Sequence, residues 1–200
     1  IINHRNTTVD PDSSIWSYDE QPGHSRFFQN DEIIHLYYGK LLSLTAGSFS
    51  EFNLYPMVDE LLGDWVEGDE IRDAKDWISE RAVEAIEQVP DTFSASCDLP
   101  VADGYFRTET GSARFTGRFR SGRALSVFLN GIAAERDQRA GTWELAVDSP
   151  QNFFRPGINR IIVQCFTGRD GSGTMTDETS LEVWYDLSLI HISEPTRHHV

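Results

Sequence analysis

Only two cysteines, Cys97 and Cys165, occur among the 200 residues of this chain. That is too few for a disulfide scaffold or a cysteine-type zinc site. No apolar run approaches the ~18 residues that a membrane helix needs, so no transmembrane segment is expected. Cations are scarce: 17 Lys+Arg face 32 Asp+Glu, a formal net charge of −15. Such a chain repels phosphate backbones, and no nucleic-acid partner is expected. Apolar mass is not lacking. Hydrophobic residues make up 39%, enough for packed cores rather than general disorder. The length allows one or two domains.

The ends carry their own signals. Residues 187–197 read LSLIHISEPTR, which resembles the translation of a transposase-type sequencing adapter. Residues 187–200 are therefore set aside as an artefact tail. On that reading the sequence is the conceptual translation of an environmental DNA fragment, continuing in nature past Asp186. Ile1 in place of Met is expected to mark a truncated start.

Charge and pattern divide the remainder at Pro90. Residues 1–90 hold 18 Asp+Glu and 6 Lys+Arg, a net of −12, whereas residues 91–186 hold 13 Asp+Glu and 10 Arg, a net of −3. The first part is patterned for about three helices. Residues 1–29 look irregular, with turn chemistry at Asp10-Pro11-Asp12-Ser13-Ser14. Asn30 suits an N-cap, and Asp31 and Glu32 complement the helix dipole. Ile34, Tyr37, Tyr38, Leu41, Leu42 and Leu44 then share one face, and Gly47 is the terminator. A second helix is predicted over about 51–62, with Ser50 as cap and Pro56 in its first turn or marking a later start. A third begins near Asp69. Its stripe runs through Ile71, Ala74, Ile78, Ala82, Ala85 and Val89, widened by Trp77 and Ile86, and Pro90 ends it.

After Pro90 the period switches to two. Ala113, Phe115, Gly117 and Phe119 alternate with Arg114, Thr116, Arg118 and Arg120. Leu125, Val127 and Leu129 follow, and Asn130-Gly131 signals a hairpin. Trp143, Leu145 and Val147, then Ile161, Val163 and Cys165, then Leu181, Val183 and Tyr185 complete the ladder. Roughly seven short strands over ~95 residues predict an all-β immunoglobulin-like sandwich. The expected fold class is α+β in two separate parts: a helical segment over 1–90 and the sandwich over 91–186.

The order of features resembles the C-terminal part of bacterial proteins with a CotH-like (spore coat protein H) kinase domain followed by immunoglobulin-like modules. The kinase-domain end is matched by Leu36-Tyr37-Tyr38-Gly39-Lys40-Leu41-Leu42, by Gly47-Ser48-Phe49-Ser50 and by Gln88-Val89-Pro90. The module is matched by Leu129-Asn130-Gly131, Thr142-Trp143, Pro156-Gly157-Ile158-Asn159-Arg160 and Trp184-Tyr185-Asp186. The resemblance covers about residues 10–186. It implies a secreted or cell-surface parent protein that transfers phosphoryl groups from ATP with a divalent metal. The family's acidic catalytic and metal-binding residues lie upstream of Ile1 in this alignment of motifs. No catalytic, cofactor-binding or metal residue is carried over, and the fragment itself is expected to be inactive and to hold no cofactor. Its expected partners are the upstream kinase-like domain and neighbouring domains of the same chain.

The remaining candidates each have a plainer reading. Asp10 and Asp12 could converge on a hard cation, but a Pro-containing turn accounts for them. His4, His24 and His35 are scattered, and His35 reads as a helix-surface residue. Residues 168–173, GRDGSG, have phosphate-loop composition without the Lys-Ser/Thr ending or following helix, so a strand–strand loop is expected. Arg114, Arg118 and Arg120 fall on one outward face by alternation, a candidate docking surface for an anionic glycan or the acidic helical half. In the alternative reading the sandwich is an extracellular binding module that recognises a polysaccharide or protein, with Arg114, Arg118, Arg120 and exposed Phe128 or Trp184 as contacts. Cys97 and Cys165 both point inward by alternation. An exported protein would allow a disulfide between them. Two buried thiols that never meet are the alternative.

Overall fold

The computed structural model describes residues 10–17, 23–148 and 153–186. A single turn, α1 (His24–Phe27), precedes the long helices; four residues carry no periodicity, so it left no trace in the sequence. Asn30 then starts α2 (Asp31–Ala46). Its side-chain oxygen accepts the Glu32 amide at 2.9 Å, satisfying one of the orphan donors of the first turn. α3 (Glu51–Leu62) contains Pro56 inside the helix rather than in its first turn. Ser50 makes no side-chain cap; its hydroxyl donates to the Gly47 carbonyl at 2.7 Å. α4 (Gly68–Glu87) ends just before Pro90, which has no amide to continue it.

Residues 10–17 form no helix or strand, yet they are pinned. The Arg81 Nη1 donates to the carbonyls of Pro11, at 2.9 Å, and Ser13. The Ile15 amide donates to Gln88 Oε1 at 2.9 Å, and the Tyr37 hydroxyl donates to the Ile15 carbonyl at 2.7 Å. Ile15 is thereby held in a small core with Ile34, Tyr38, Ala85 and Val89. A backbone without its own ladder needs such side-chain partners when it is pressed onto helices.

The chain divides after Asp91, but the helical unit also takes in the tripeptide Ser121–Arg123. The Ser121 amide donates to the Pro90 carbonyl at 3.1 Å, and His35 Nδ1 hydrogen-bonds the Ser121 carbonyl at 2.9 Å. His35, expected on the helix surface, is thus half-buried and engaged. Close backbone approach explains two glycines here. A Cβ on Gly122 would sit 3.0 Å from Leu42 Cδ1, and one on Gly39 would sit 3.3 Å from the Gly122 carbonyl oxygen. Gly39 accordingly stands in the middle of α2, where the loss in helix propensity of about 1 kcal/mol makes room for the tripeptide.

The second unit holds ten strands among the described residues: β1 (Ser94–Cys97), β2 (Val101–Ala102), β3 (Tyr105–Thr108), β4 (Ala113–Arg118), β5 (Ser126–Leu129), β6 (Ile132–Ala133), β7 (Glu135–Asp137), β8 (Thr142–Val147), β9 (Gly157–Phe166) and β10 (Met175–Tyr185). They form an antiparallel sheet in the order β1-β4-β8-β7 and a sheet in the order β2-β3-β10-β9-β5-β6. The second sheet is mixed, because β10 runs parallel to β3. The chain is therefore α+β, with more strands than alternation alone predicted, two of which, β9 and β10, run to 10 and 11 residues. Asn130-Gly131 makes the expected two-residue hairpin between β5 and β6, with Asn130 at φ 47°.

Both sheets turn apolar rows into one core. Phe115, Ala113, Trp143 and Val147 come from the four-stranded sheet, and Val127, Leu129, Ile161, Val163, Cys165 and Val183 from the six-stranded one. Phe115, Ile161, Val163 and Val183 are all at 0% exposure. Within this core the Trp143 ring lies over Gly117, its cross-strand partner. A Cβ at Gly117 would run into that ring and into the Ser94 carbonyl. Gly117→Ala is expected to destabilise the strand unit by about 2–3 kcal/mol through overpacking, measurable by urea unfolding together with a changed Trp143 near-UV signal. An unchanged midpoint would contradict this packing.

Candidate functional site

The three arginines of the expected docking face do not stay together. Arg114 and Arg118 are exposed on β4, and Arg114 pairs with Glu144 of the neighbouring strand β8 at 3.4 Å. Arg120 lies beyond the end of β4 and pairs with Asp177 of β10, in the other sheet, at 3.1 Å. The Asp177 side chain is only 8% exposed. Arg120 is therefore engaged with a largely buried carboxylate and is corrected out of the outward face. Alternation predicts a side only while the strand continues, and β4 stops at Arg118.

What the outward face of the four-stranded sheet does form is a shallow polar groove of 630 Å³. Arg118, Arg136, Glu135, Asp137 and Glu144 line it with hydroxyls from Ser94, Ser96 and Thr116. The two aromatic contacts expected of a binding module lie on the other sheet and are occupied. Trp184 is half-buried beneath the Arg107 guanidinium, 4.9 Å from its ring, and Arg107 also pairs with Asp186 at 2.5 Å. Phe128 is half-buried edge-on to Phe166, with ring centroids 5.9 Å apart. The run Trp184-Tyr185-Asp186 thus has a structural account: its first and third residues grip Arg107, and Tyr185 faces the core.

Cys97 and Cys165 are both buried and both unbonded thiols, so the candidate disulfide is not formed. Cys97 is on β1 of the four-stranded sheet and Cys165 on β9 of the six-stranded sheet. Alternation correctly turned both inward but could not say which strands are neighbours. Burial raises the Cys97 thiol pKa and pushes that of Cys165 up to about 12; the Asp177 carboxylate adds to the rise at Cys165, and Arg120 opposes it.

The other candidates fall into place as local structure. Asp10 and Asp12 border a 480 Å³ depression with Glu80 and Glu84. Among the described residues no group of three or more His, Cys, Asp or Glu side chains is arranged to hold a metal. His24 stands in α1, and His4 lies outside the described residues, as does the adapter-like segment. The glycine-rich run closes as a loop between β9 and β10, with the Gly168 amide donating to the Ser172 carbonyl at 2.9 Å. Where Pro156 leads into β9, Asn159 accepts the Arg155 amide at 2.8 Å and returns a bond to the Arg155 carbonyl at 2.7 Å.

One feature that the sequence reading passed over is a cavity of 440 Å³ within the helical unit, lined by Leu41, Phe49, Leu54, Trp77, Ile78 and Arg81 among others. Its signal was present: Arg81 lies four residues from both Trp77 and Ala85, on the stripe that α4 turns inward.

No protein-family model matches this chain, and neither a curated protein nor a solved structure matches it.

A pH dependence follows from the Cys165 thiol. Its folded-state pKa is raised, so the stability it contributes is complete below its unfolded pKa, near 9, and is lost as pH rises toward about 12. The wild-type chain should lose stability above pH 9 more steeply than Cys165→Ala, by up to about 1.4 kcal/mol per pH unit. Urea melts of both proteins between pH 8 and 11 measure this, and parallel curves would refute it.

Proposed function

We propose that this chain is a non-catalytic piece of a multidomain, exported CotH-like kinase protein. The helical unit is the tail of the kinase-like domain, and the strand unit is an immunoglobulin-like module with a structural, spacing role. One observation carries this reading. Of sixteen large hydrophobic residues exposed among those described, twelve belong to the helical unit, including Phe52 at 87% and Trp65 at 86%. Exposed apolar surface on that scale is what a further domain covers. The strand unit has only four, Val101, Ile132, Ile158 and Met175, and closes its own core. The motif order from Leu36 to Pro90 and from Leu129 to Asp186 supplies the family.

A second reading rests on the polar groove of the four-stranded sheet. There the chain is an extracellular binding module, with Arg118 and the facing hydroxyls and carboxylates recognising a polysaccharide or protein. The genomic sequence upstream of the Ile1 codon separates the two. An acidic, metal-binding kinase motif there supports the first reading, and a further β-module overturns it in favour of the second.

The phosphate and metal ligands of the parent enzyme are assigned outside this chain. Residues 1–186 should therefore show no magnesium-dependent ATP binding by calorimetry and no transfer to a generic acceptor. Binding that disappears in Asp10→Ala/Asp12→Ala would place nucleotide chemistry here and sink the non-catalytic reading.

A further inference from the structure

Among the described residues, the cavity between α2, α3 and α4 has one charged residue in its lining. Leu41, Phe49, Leu54, Trp77 and Ile78 supply an apolar wall, and Arg81 stands at one side. Its 440 Å³ is in the range of small-molecule sites. The charge is conspicuous because of the chain around it. With 32 Asp+Glu available, Arg81 still has no carboxylate partner among the described residues. Its hydrogen bonds go to two main-chain carbonyls, of Pro11 and Ser13, and both leave from Nη1. Among the described residues no hydrogen bond leaves from Nε or Nη2, and a guanidinium presents that edge as a planar fork matched to a carboxylate. The neighbouring Tyr37 hydroxyl feels the same charge: burial raises its pKa, and Arg81 partly offsets the rise.

We propose that this cavity binds an aliphatic carboxylate, with the hydrocarbon chain among the side chains of α2, α3 and α4 and the carboxylate on the Arg81 fork. An apolar wall alone accepts any hydrocarbon. A cation with no carboxylate partner among the described residues selects an anionic head, because a half-buried guanidinium gains a charge-assisted pair that two carbonyls do not give. The site is independent of the kinase reading and needs no residue outside this chain.

Calorimetry and tryptophan fluorescence on the whole 200-residue chain, with decanoate as probe and 1-decanol as its uncharged match, test the proposal. Decanoate should bind saturably at one site and perturb Trp77, at least tenfold more tightly than decanol. Arg81→Gln should bring decanoate down to the decanol level. Arg81 also pins residues 11–13, so a second variant guards against misfolding. Ala82→Phe fills the cavity, keeps Arg81, and should abolish binding with the helical circular dichroism unchanged. Equal affinity for decanoate and decanol overturns the proposal and makes the cavity a seat for an apolar side chain of another domain. Undiminished binding in Ala82→Phe, or non-saturating uptake, also overturns it.

Discussion

The strand unit depends on burying two rows of side chains at once. Phe115 and Trp143 from one sheet share a core with Val163 and Val183 from the other, and each row is fixed by a period of two. A slip of one residue in β4 would bring Arg114, Thr116 and Arg118 inward and turn Phe115 out. Register is therefore set by the cost of wrong burial as much as by backbone bonds. The longest pairing, β9 with β10, carries Ile161, Val163, Cys165, Leu181 and Val183 through the middle of the larger sheet. Shorter strands attach to that ribbon.

The helical unit is built on the opposite terms. Its apolar residues are spread around the helices, and few are deeply buried: Ile34 and Tyr38 on α2, Ile71 and Ala85 on α4, and none on α3. Polar groups do more of the fastening. Lys75 pairs with Asp59 at 2.6 Å, and the Tyr55 hydroxyl meets Ser79, together tying α3 to α4. Arg81, Gln88 and Tyr37 fasten residues 10–15. Exposed pairs of this kind contribute modestly, which is consistent with a unit that leaves Phe52 and Trp65 in solvent.

Much of this was legible in the sequence, and the reasons are local. Asn30, Gly47 and Pro90 act on neighbouring backbone, so the bounds of α2 and the end of α4 follow from them closely. Alternation likewise gave the inward rows of β4, β8 and β9. Partnership was not legible. Nothing in a period of two says that β3 lies parallel to β10, or that Cys97 and Cys165 sit in different sheets. Arg120 was misread because it lies past the end of its strand, where a turn decides direction. Arg81 was passed over because a single cation on an apolar stripe reads as an interruption of the pattern.

The tripeptide Ser121–Arg123 bears on the order in which this chain can be completed during synthesis. The residues around Ile15 leave the ribosome well before their fastenings, Arg81 and Gln88, which follow some seventy residues later. Even with α4 finished, His35 and Pro90 still lack their bonds to Ser121, which arrives only after β4 has been made. The helical unit thus precedes the strand unit in sequence, yet it is completed only after β4. A nascent chain that stalls anywhere before residue 123 carries an unfinished helical unit, with the apolar groups that Gly122 covers, Leu42 and Tyr38, still open to whatever chaperone or aggregate is near.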